Sequence, residues 1–489
     1  MNLYPKLLAR QQEGKPLRVG MIGAGKFGSM FLAQMLKLPG VHLVGVVDLS
    51  PATAISNMKY VGWQEERFAA TSFDDAARQG TTHVSDDALA LIGHGAVDIV
   101  IECTGNPLAA VEHCLAAFHH RKDVINVTVE ADAFCGPGLA KAASEAGVIY
   151  SMAYGDQPAL TCDLVDWART CGFHVVAAGR GHKWLPHYRQ STPETVWDHW
   201  GLTAEQAKRG RLNPKMFNAF LDGSKPAIES AAIANATGLD VPREGLAFPP
   251  GSAEDIPTLM RPRALGGCLD HEGMVEVVSC VTPDGKPIPY DIRKGVWVCF
   301  RGDTDYIRNC FEEYKVTTDP TGRYMALYKK WHLIGLELGI SVASVGLRRE
   351  ATGAAITFNG DVAAIAKRDL KAGEMLDGDA KGVMASIKRQ LAESQSPEIA
   401  GYLLSPALAH GLEAAELHPS PNVARTVWLE MSSRSEASLS PASVKRIEQW
   451  QAAGHPVQAQ VVAGPAFWQT TEIEEAPALL AATLAALQS

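Results

Sequence analysis

The chain has 489 residues, length enough for two to four domains, and its 46% apolar and 20% charged content is that of an ordinary soluble globular protein. A net charge of −9 offers no basic face to nucleic acid, and no apolar run approaches the ~18 residues that span a bilayer, so small molecules are the expected partners. Met1 to Arg10 lacks the apolar core of a signal peptide and the 9 cysteines contain no C-x-x-C, which predicts a cytoplasmic protein without a disulfide framework or zinc knuckle.

Residues 1 to 16 read as a short polar lead helix. Leu17 to Ile22 is an apolar strand, Gly23-Ala24-Gly25-Lys26-Phe27-Gly28 follows at once, and Phe31 to Leu38 has helical periodicity. A second strand, Val41 to Val47, ends on Asp48. Gly23 allows a tight turn, Gly25 lets backbone approach a pyrophosphate, and Gly28 lets helix pack on strand, while the helix N-terminus turns free N–H groups toward the phosphates. Asp48 stands twenty residues after Gly28, where a carboxylate accepts hydrogen bonds from a ribose. The order of these features predicts a dinucleotide-binding Rossmann unit with Gly23, Ala24, Gly25, Lys26, Phe27, Gly28 and Asp48 at the cofactor.

Ala52 to Ala90 is mixed and helix-prone, with Val61-Gly62-Trp63 in a loop. The sheet resumes at Val97 to Glu102, a near-continuous apolar run of the kind buried on both faces. Thr104, Gly105 and Asn106 follow it, before a helix from Leu108 to Phe118. They form either a cofactor-contacting turn beside the topological switch point or a plain strand-to-helix turn capped by Asn106. After a strand at Asp123 to Val127 come Glu130 and Asp132, either metal ligands or an acidic helix N-terminus, then a helix from Pro137 to Ala146 and a strand from Val148 to Ala153.

Leu160 to Cys171 is helical, Phe173 to Ala178 is a strand, and Gly179-Arg180-Gly181-His182-Lys183 reads as a loop, for phosphate or simply on the surface. Trp184 to Arg211 is an irregular connection. Asn213 to Asn235 is helical, interrupted at Gly223, and places Asn218, Asp222 and Lys225 on one face if that glycine does not break it. The alternatives for those three are a functional group and a surface salt bridge. From Gly273 to Phe300 the pattern is an antiparallel hairpin layer around Pro-Asp-Gly-Lys-Pro. An apolar helix starting at Trp331 returns to the first domain, and Val362 to Glu374 is a strand with a charged turn.

Residues 17 to about 376 resemble one family, the 1-deoxy-D-xylulose 5-phosphate reductoisomerase-like (DXR-like) oxidoreductases, whose Rossmann part is similar to that of homoserine dehydrogenase. The resemblance rests on the Gly23 to Gly28 run, Glu102-Cys103-Thr104-Gly105-Asn106-Pro107, Asn126 to Asp132, Tyr154-Gly155-Asp156-Gln157, Met216 to Lys225 and His332 to Glu337. It implies NADP, although Asp48 itself favours NAD, with Lys59 and Arg67 as partners for a 2′-phosphate. It also implies a reductoisomerase, for which Glu130, Asp132 and Asp222 are candidate ligands of Mg²⁺ or Mn²⁺, and Lys183, Asn218, Asp222 and Lys225 are candidate catalytic residues, the two lysines holding a sugar phosphate. A hydroxy-acid or polyol dehydrogenase and an inactive dinucleotide-binding protein are the alternatives, and a homo-oligomer is expected.

Ala366 to Leu376 resembles the start of a SAF domain, and residues 381–489 resemble the C-terminal part of exosortase-associated α/β-hydrolases but contain no G-x-S-x-G elbow, so this tail is expected to contribute no chemistry. The expected architecture is α/β: a Rossmann domain over 1–160, an α+β catalytic domain over 161–360, a truncated SAF-like segment over 361–380, and an appended α/β tail.

Overall fold

The strands from Leu17 onward are apolar on both faces because helices cover both sides of the sheet they build. The computed structural model describes residues 2–209, 212–367, 398–399, 402–403, 425–432, 438–439, 441–464 and 476–488. The chain divides into two compact units, Met1–Met384 and Ala385–Ser489.

In the first unit, α1 (Leu3–Gln12) leads into β1 (Leu17–Ile22), α2 (Lys26–Met35), β2 (Val41–Val47), α3 (Pro51–Tyr60), α4 (Phe73–Gln79), β3 (His83–Ser85), α5 (Ala88–Gly93), β4 (Ile99–Glu102), α6 (Pro107–His119), β5 (Asp123–Asn126), α7 (Val129–Ala146) and β6 (Tyr150–Met152). These strands form a parallel sheet in the order β3-β2-β1-β4-β5-β6. The order reverses between β1 and β4, which opens a crevice at their carboxyl ends. Val19, Met21, Phe31, Leu32, Ile99 and Ile101 make the core on one face, and Val44, Val100, Leu91 and Val124 that on the other.

Three local expectations change. The helix after the glycines begins at Lys26 rather than Phe31, directly on the turn. His83–Ser85 adds a third strand inside the helix-prone stretch, too short to show alternation. The helix expected from Pro137 starts at Val129 and runs through a kink at Cys135 (φ −147°, ψ 20°), because Pro137 has no N–H to give to the preceding turn.

The second sheet follows α8 (Gln157–Thr170). It comprises β7 (His174–His182), β8 (Met274–Ser279), β9 (Val296–Arg301) and β10 (Tyr324–Lys329) in the order β10-β9-β7-β8. The expected hairpin of β8 with β9 is absent, since β7 lies between them, parallel to β8 and antiparallel to β9. Between β7 and β8 stand α9 (Val196–Trp200), α10 (Ala204–Arg209), α11 (Pro214–Leu221), α12 (Ser224–Thr237) and α13 (Ile256–Leu259), so the supposed irregular connection contains short helices. Gly223 has φ +95° and separates α11 from α12.

After α14 (Asp305–Glu313) and β10, residues 331–338 are irregular, not the start of a helix, and α15 (Gly339–Ala343) continues as one π-helical turn, Ser344–Arg348. Leu338, Val342, Ala343 and Val345 do return to the first sheet and fill its core beside Val19 and Phe31. The following segment to Lys367 has no strand, contrary to the expectation for Val362 to Lys367, and the remainder of the SAF-like run lies outside the described residues.

Within the second unit, strands Thr426–Ser432 and Val457–Ala463 pair in parallel through the helix Pro441–Ala452, with Trp428 and Trp450 edge to face at 5.5 Å. The helix expected over Val383 to Ala392 lies outside the described residues. Among the described residues, no helix is long and apolar enough to cross a membrane.

Candidate functional site

At the carboxyl end of β1, Gly23 takes φ +97°, and a Cβ there would meet the Cys103 carbonyl oxygen at 2.6 Å. A Cβ on Gly28 would meet the Gly23 oxygen at 2.6 Å, so both glycines serve close backbone packing. Gly25 differs: nothing lies within 4 Å of the position of its Cβ, and it caps α2. The space beside Gly25, at the N-terminus of α2, is therefore open, as the close approach of a pyrophosphate requires. Asp48 secures this turn, accepting from Ala24 N (2.8 Å) and Ser50 N (3.0 Å), while Asn57 donates to the Ala24 carbonyl (2.8 Å). Lys59 is ion-paired with Glu65, and Arg67 lies over Trp63 at 5.8 Å.

At the carboxyl end of β4, the buried Glu102 accepts from the hydroxyls of Thr104 and Thr128, each at 2.5 Å. Gly105 N donates to Thr128 Oγ1 (3.0 Å), and Asn106 Oδ1 caps α6 by accepting from Leu108 N and Ala109 N (3.1 and 3.2 Å). The cap reading of Asn106 is thus what the geometry displays. The turn nevertheless stands at the switch point, next to the glycine turn.

The acidic pair after β5 occupies the first turn of α7, where the helix dipole favours carboxylates. Glu130 holds Lys225 of α12 at 2.7 Å, in a pair whose side chains are 30% and 19% exposed. Asp132 is buried, accepting from Tyr150 Oη (2.7 Å) and Asn126 Nδ2 (2.9 Å). Burial pushes its carboxyl up to about 7, against those two hydrogen bonds. Asp222 receives Lys367 Nζ (2.7 Å), Ser224 N (2.9 Å) and Asn218 Nδ2 (3.3 Å). Glu130, Asp132 and Asp222 therefore do not make the metal centre expected of them. Each carboxylate has its own partner, and no group of three or more His, Cys, Asp or Glu suited to a metal occurs among the described residues. The triad is corrected as well: because Gly223 breaks the helix, Asn218 and Asp222 remain together while Lys225 turns to Glu130.

The run Gly179 to His182 is not a loop but the last part of β7. A Cβ on Gly179 would collide with the Glu276 carbonyl, and one on Gly181 with the Ile292 carbonyl, so these glycines admit neighbouring backbone rather than a phosphate. Arg180 is buried in an ion pair with Glu229. Lys183 leaves the strand end, donates to the His199 carbonyl (2.6 Å), and is pushed below the usual lysine range by burial and by Arg293.

Lys367 was invisible to sequence reasoning. It lies 145 residues from Asp222, and no local period joins the two. Its ammonium also reaches the Ser191 carbonyl at 2.7 Å.

Residues 17–130 match the family model described as the oxidoreductase family with an NAD-binding Rossmann fold, and residues 155–338 match the catalytic domain of oxidoreductase DRL. The class is therefore an NAD(P)-dependent oxidoreductase, an enzyme. More particularly, the two matches fall on successive segments of the first unit, the NAD-binding one on residues 17–130 and the DRL one on residues 155–338.

No curated protein matches the chain. Among solved structures, the biliverdin reductase of Synechocystis sp. in complex with biliverdin and NADP⁺ is 18% identical over 35% of this chain and 48% of its own, with a TM-score of 0.25. The myo-inositol dehydrogenase of Lactobacillus casei in complex with NAD(H) and myo-inositol is 15% identical over 37% and 50%, with a TM-score of 0.27. An NAD-binding oxidoreductase of Klebsiella pneumoniae is 20% identical over 36% and 47%, at 0.26. The chain spans about half the length of these structures.

Proposed function

We propose that the chain reduces the carbonyl of a small phosphorylated sugar with NAD(P)H, the dinucleotide lying across the Gly23 to Gly28 turn and Asp48, with its nicotinamide near Thr104 to Asn106. The observation that carries this reading is Lys225, which crosses from the catalytic half to Glu130 at the carboxyl edge of the first sheet. The dinucleotide, when bound, would supply the hydride that the carbonyl carbon takes up and would be left as NAD(P)⁺. Lys225 would give the carbonyl oxygen its proton, with Glu130 orienting the ammonium.

The substrate we favour is 1-deoxy-D-xylulose 5-phosphate, whose rearranged aldehyde would take the hydride and give 2-C-methyl-D-erythritol 4-phosphate, an isoprenoid precursor. The resemblance across the Met216 to Lys225 segment supports it, while the DRL match to residues 155–338 supports an oxidoreductase and names no substrate. Glu130, Asp132 and Asp222 do not fit a shared Mg²⁺ or Mn²⁺, because each is taken by its own partner. That misfit favours a second reading, a hydroxy-acid or polyol dehydrogenase of the homoserine dehydrogenase kind, in which a lysine alone moves the proton.

Nicotinamide absorbance separates the two. Oxidation of NADPH by 1-deoxy-D-xylulose 5-phosphate, with Mg²⁺ or Mn²⁺ supplied, is expected from the first. Turnover of homoserine with NAD⁺ and none of the ketose phosphate would replace it with the second.

A further inference from the structure

Five residues before β9, the chain carries Asp291-Ile292-Arg293-Lys294-Gly295, a loop whose backbone is fixed from every side. Asp291 Oδ1 accepts from Arg293 N (2.8 Å), and Gly295 N donates to the Ile292 carbonyl (2.8 Å). The Lys294 carbonyl accepts from both the backbone N (2.8 Å) and ring Nδ1 (2.7 Å) of His332. The Gly295 carbonyl accepts from Gly181 N (3.1 Å) and Gln157 Nε2 (3.0 Å).

The cationic heads borne by this rigid loop are not used in the same way. Arg293 Cζ lies 4.8 Å, and Lys294 Nζ 5.7 Å, from the centroid of the Trp200 ring. Lys183 Nζ lies 5.7 Å from the Tyr188 ring and gives one hydrogen bond, to the His199 carbonyl. Among the described residues, neither Arg293, Lys294 nor Lys183 forms an ion pair with a carboxylate. Of the nearby acids, Asp291 is spent on backbone and Glu229 on Arg180. Burial, followed by the charge of Arg293, depresses both lysines, so the three heads share one field.

Like charges gathered on a fixed loop against aromatic faces, without a counter-charge, are unfavourable unless an anion joins them. An arginine fork stacked on an indole, beside two ammonium groups, matches a compact anion with several equatorial oxygens.

We propose that Arg293 and Lys294, held over Trp200, form with Lys183 a binding site for the phosphate group of the substrate. This assignment rests on the phosphorylated-sugar reading above only for the name of the molecule that brings the phosphate. It moves the phosphate from Lys225, which is left to the reacting carbonyl, to the loop before β9.

The full chain is titrated with inorganic phosphate by calorimetry, alongside Arg293→Gln, Lys294→Gln and the exposed control Lys141→Gln. Saturable binding is expected for the parent and the control. The two loop variants should weaken it at least about tenfold, the loss of a charge-assisted contact. Absence of binding to the parent, unchanged affinity in the loop variants, or equal affinity for acetate would each overturn the assignment.

Amine modification of the parent keeps the question open to refutation if the variants misfold: phosphate should slow reaction at Lys183 and Lys294 but not at Lys141. Equal rates with and without phosphate would count against the site. With a phosphorylated substrate, Arg293→Gln should raise KM about tenfold or more and leave kcat within about threefold. Phosphate binding that needs Arg293, together with no turnover of any sugar phosphate, would end the functional reading and leave the site standing.

Discussion

Two stretches of this chain look alike on paper. Gly23-Ala24-Gly25-Lys26 and Gly179-Arg180-Gly181-His182-Lys183 each place spaced glycines and a cation after an apolar run. The first is a turn with open space above Gly25, while the second is strand, with carbonyls of Glu276 and Ile292 against its two glycines. The contrast teaches that a missing side chain can make room either for a ligand or for a neighbouring strand. What decides between them is the partner backbone, which comes from about a hundred residues further along the chain.

With Gly179 to His182 built into the sheet and Lys183 turned to the His199 carbonyl, the proposed proton donor is Lys225. Lys225→Ala should therefore lower turnover by about 10² to 10⁴. Its ion pair with Glu130 is partly exposed, so stability should fall by no more than about 1 kcal/mol. Turnover and melting temperature on one sample test this, and wild-type turnover removes Lys225 from the reaction. Next in size, Gly181→Ala should destabilise by about 2–4 kcal/mol, because the added methyl meets a fixed carbonyl, as urea midpoints would show. A variant as stable as the parent would mean that the run is not a buried strand.

Gly25→Ala should do the opposite. Its φ of −70° is not left-handed, but its ψ of −154° lies past the usual extended range and it caps α2, so stability should fall by only about 1 kcal/mol while dinucleotide affinity, followed by fluorescence, drops about tenfold or more. Equal affinity would break the parallel between open space and ligand. The smallest effect is expected at Asp48→Ala, where losing the carboxylate should shift the ratio of NADPH to NADH affinity toward NADPH by up to about tenfold. An unchanged ratio would mean that Asp48 serves only Ala24 and Ser50.

The first sheet was legible because its signals are local. An apolar strand, a glycine turn, a second strand and Asp48 lie within 32 residues, each with its own physical reason. The second half was less legible because its signals are relational. Nothing near Met274 to Phe300 shows that β7 will come between two strands that follow one another in the chain. The pairing of Asp222 with Lys367, and of Lys225 with Glu130 rather than with Asp222, depends on Gly223 breaking a helix that periodicity alone would have continued. Arg293 and Lys294 lay inside the Gly273 to Phe300 stretch without a reading of their own, since only the fold reveals that no carboxylate among the described residues pairs with them.

The closing of the first core by Leu338, Val342, Ala343 and Val345 carries a consequence for synthesis. A ribosome delivers Phe31 and Leu32 early, yet the wall that covers them arrives some three hundred residues later. At about 5–20 residues per second, that interval is roughly 15–60 seconds, during which the nascent dinucleotide domain has an unfinished apolar flank. Chaperone occupancy of ribosome-bound chains should therefore persist until this segment emerges, and a cofactor that binds the glycine turn would find its complete support only after the catalytic half has been made.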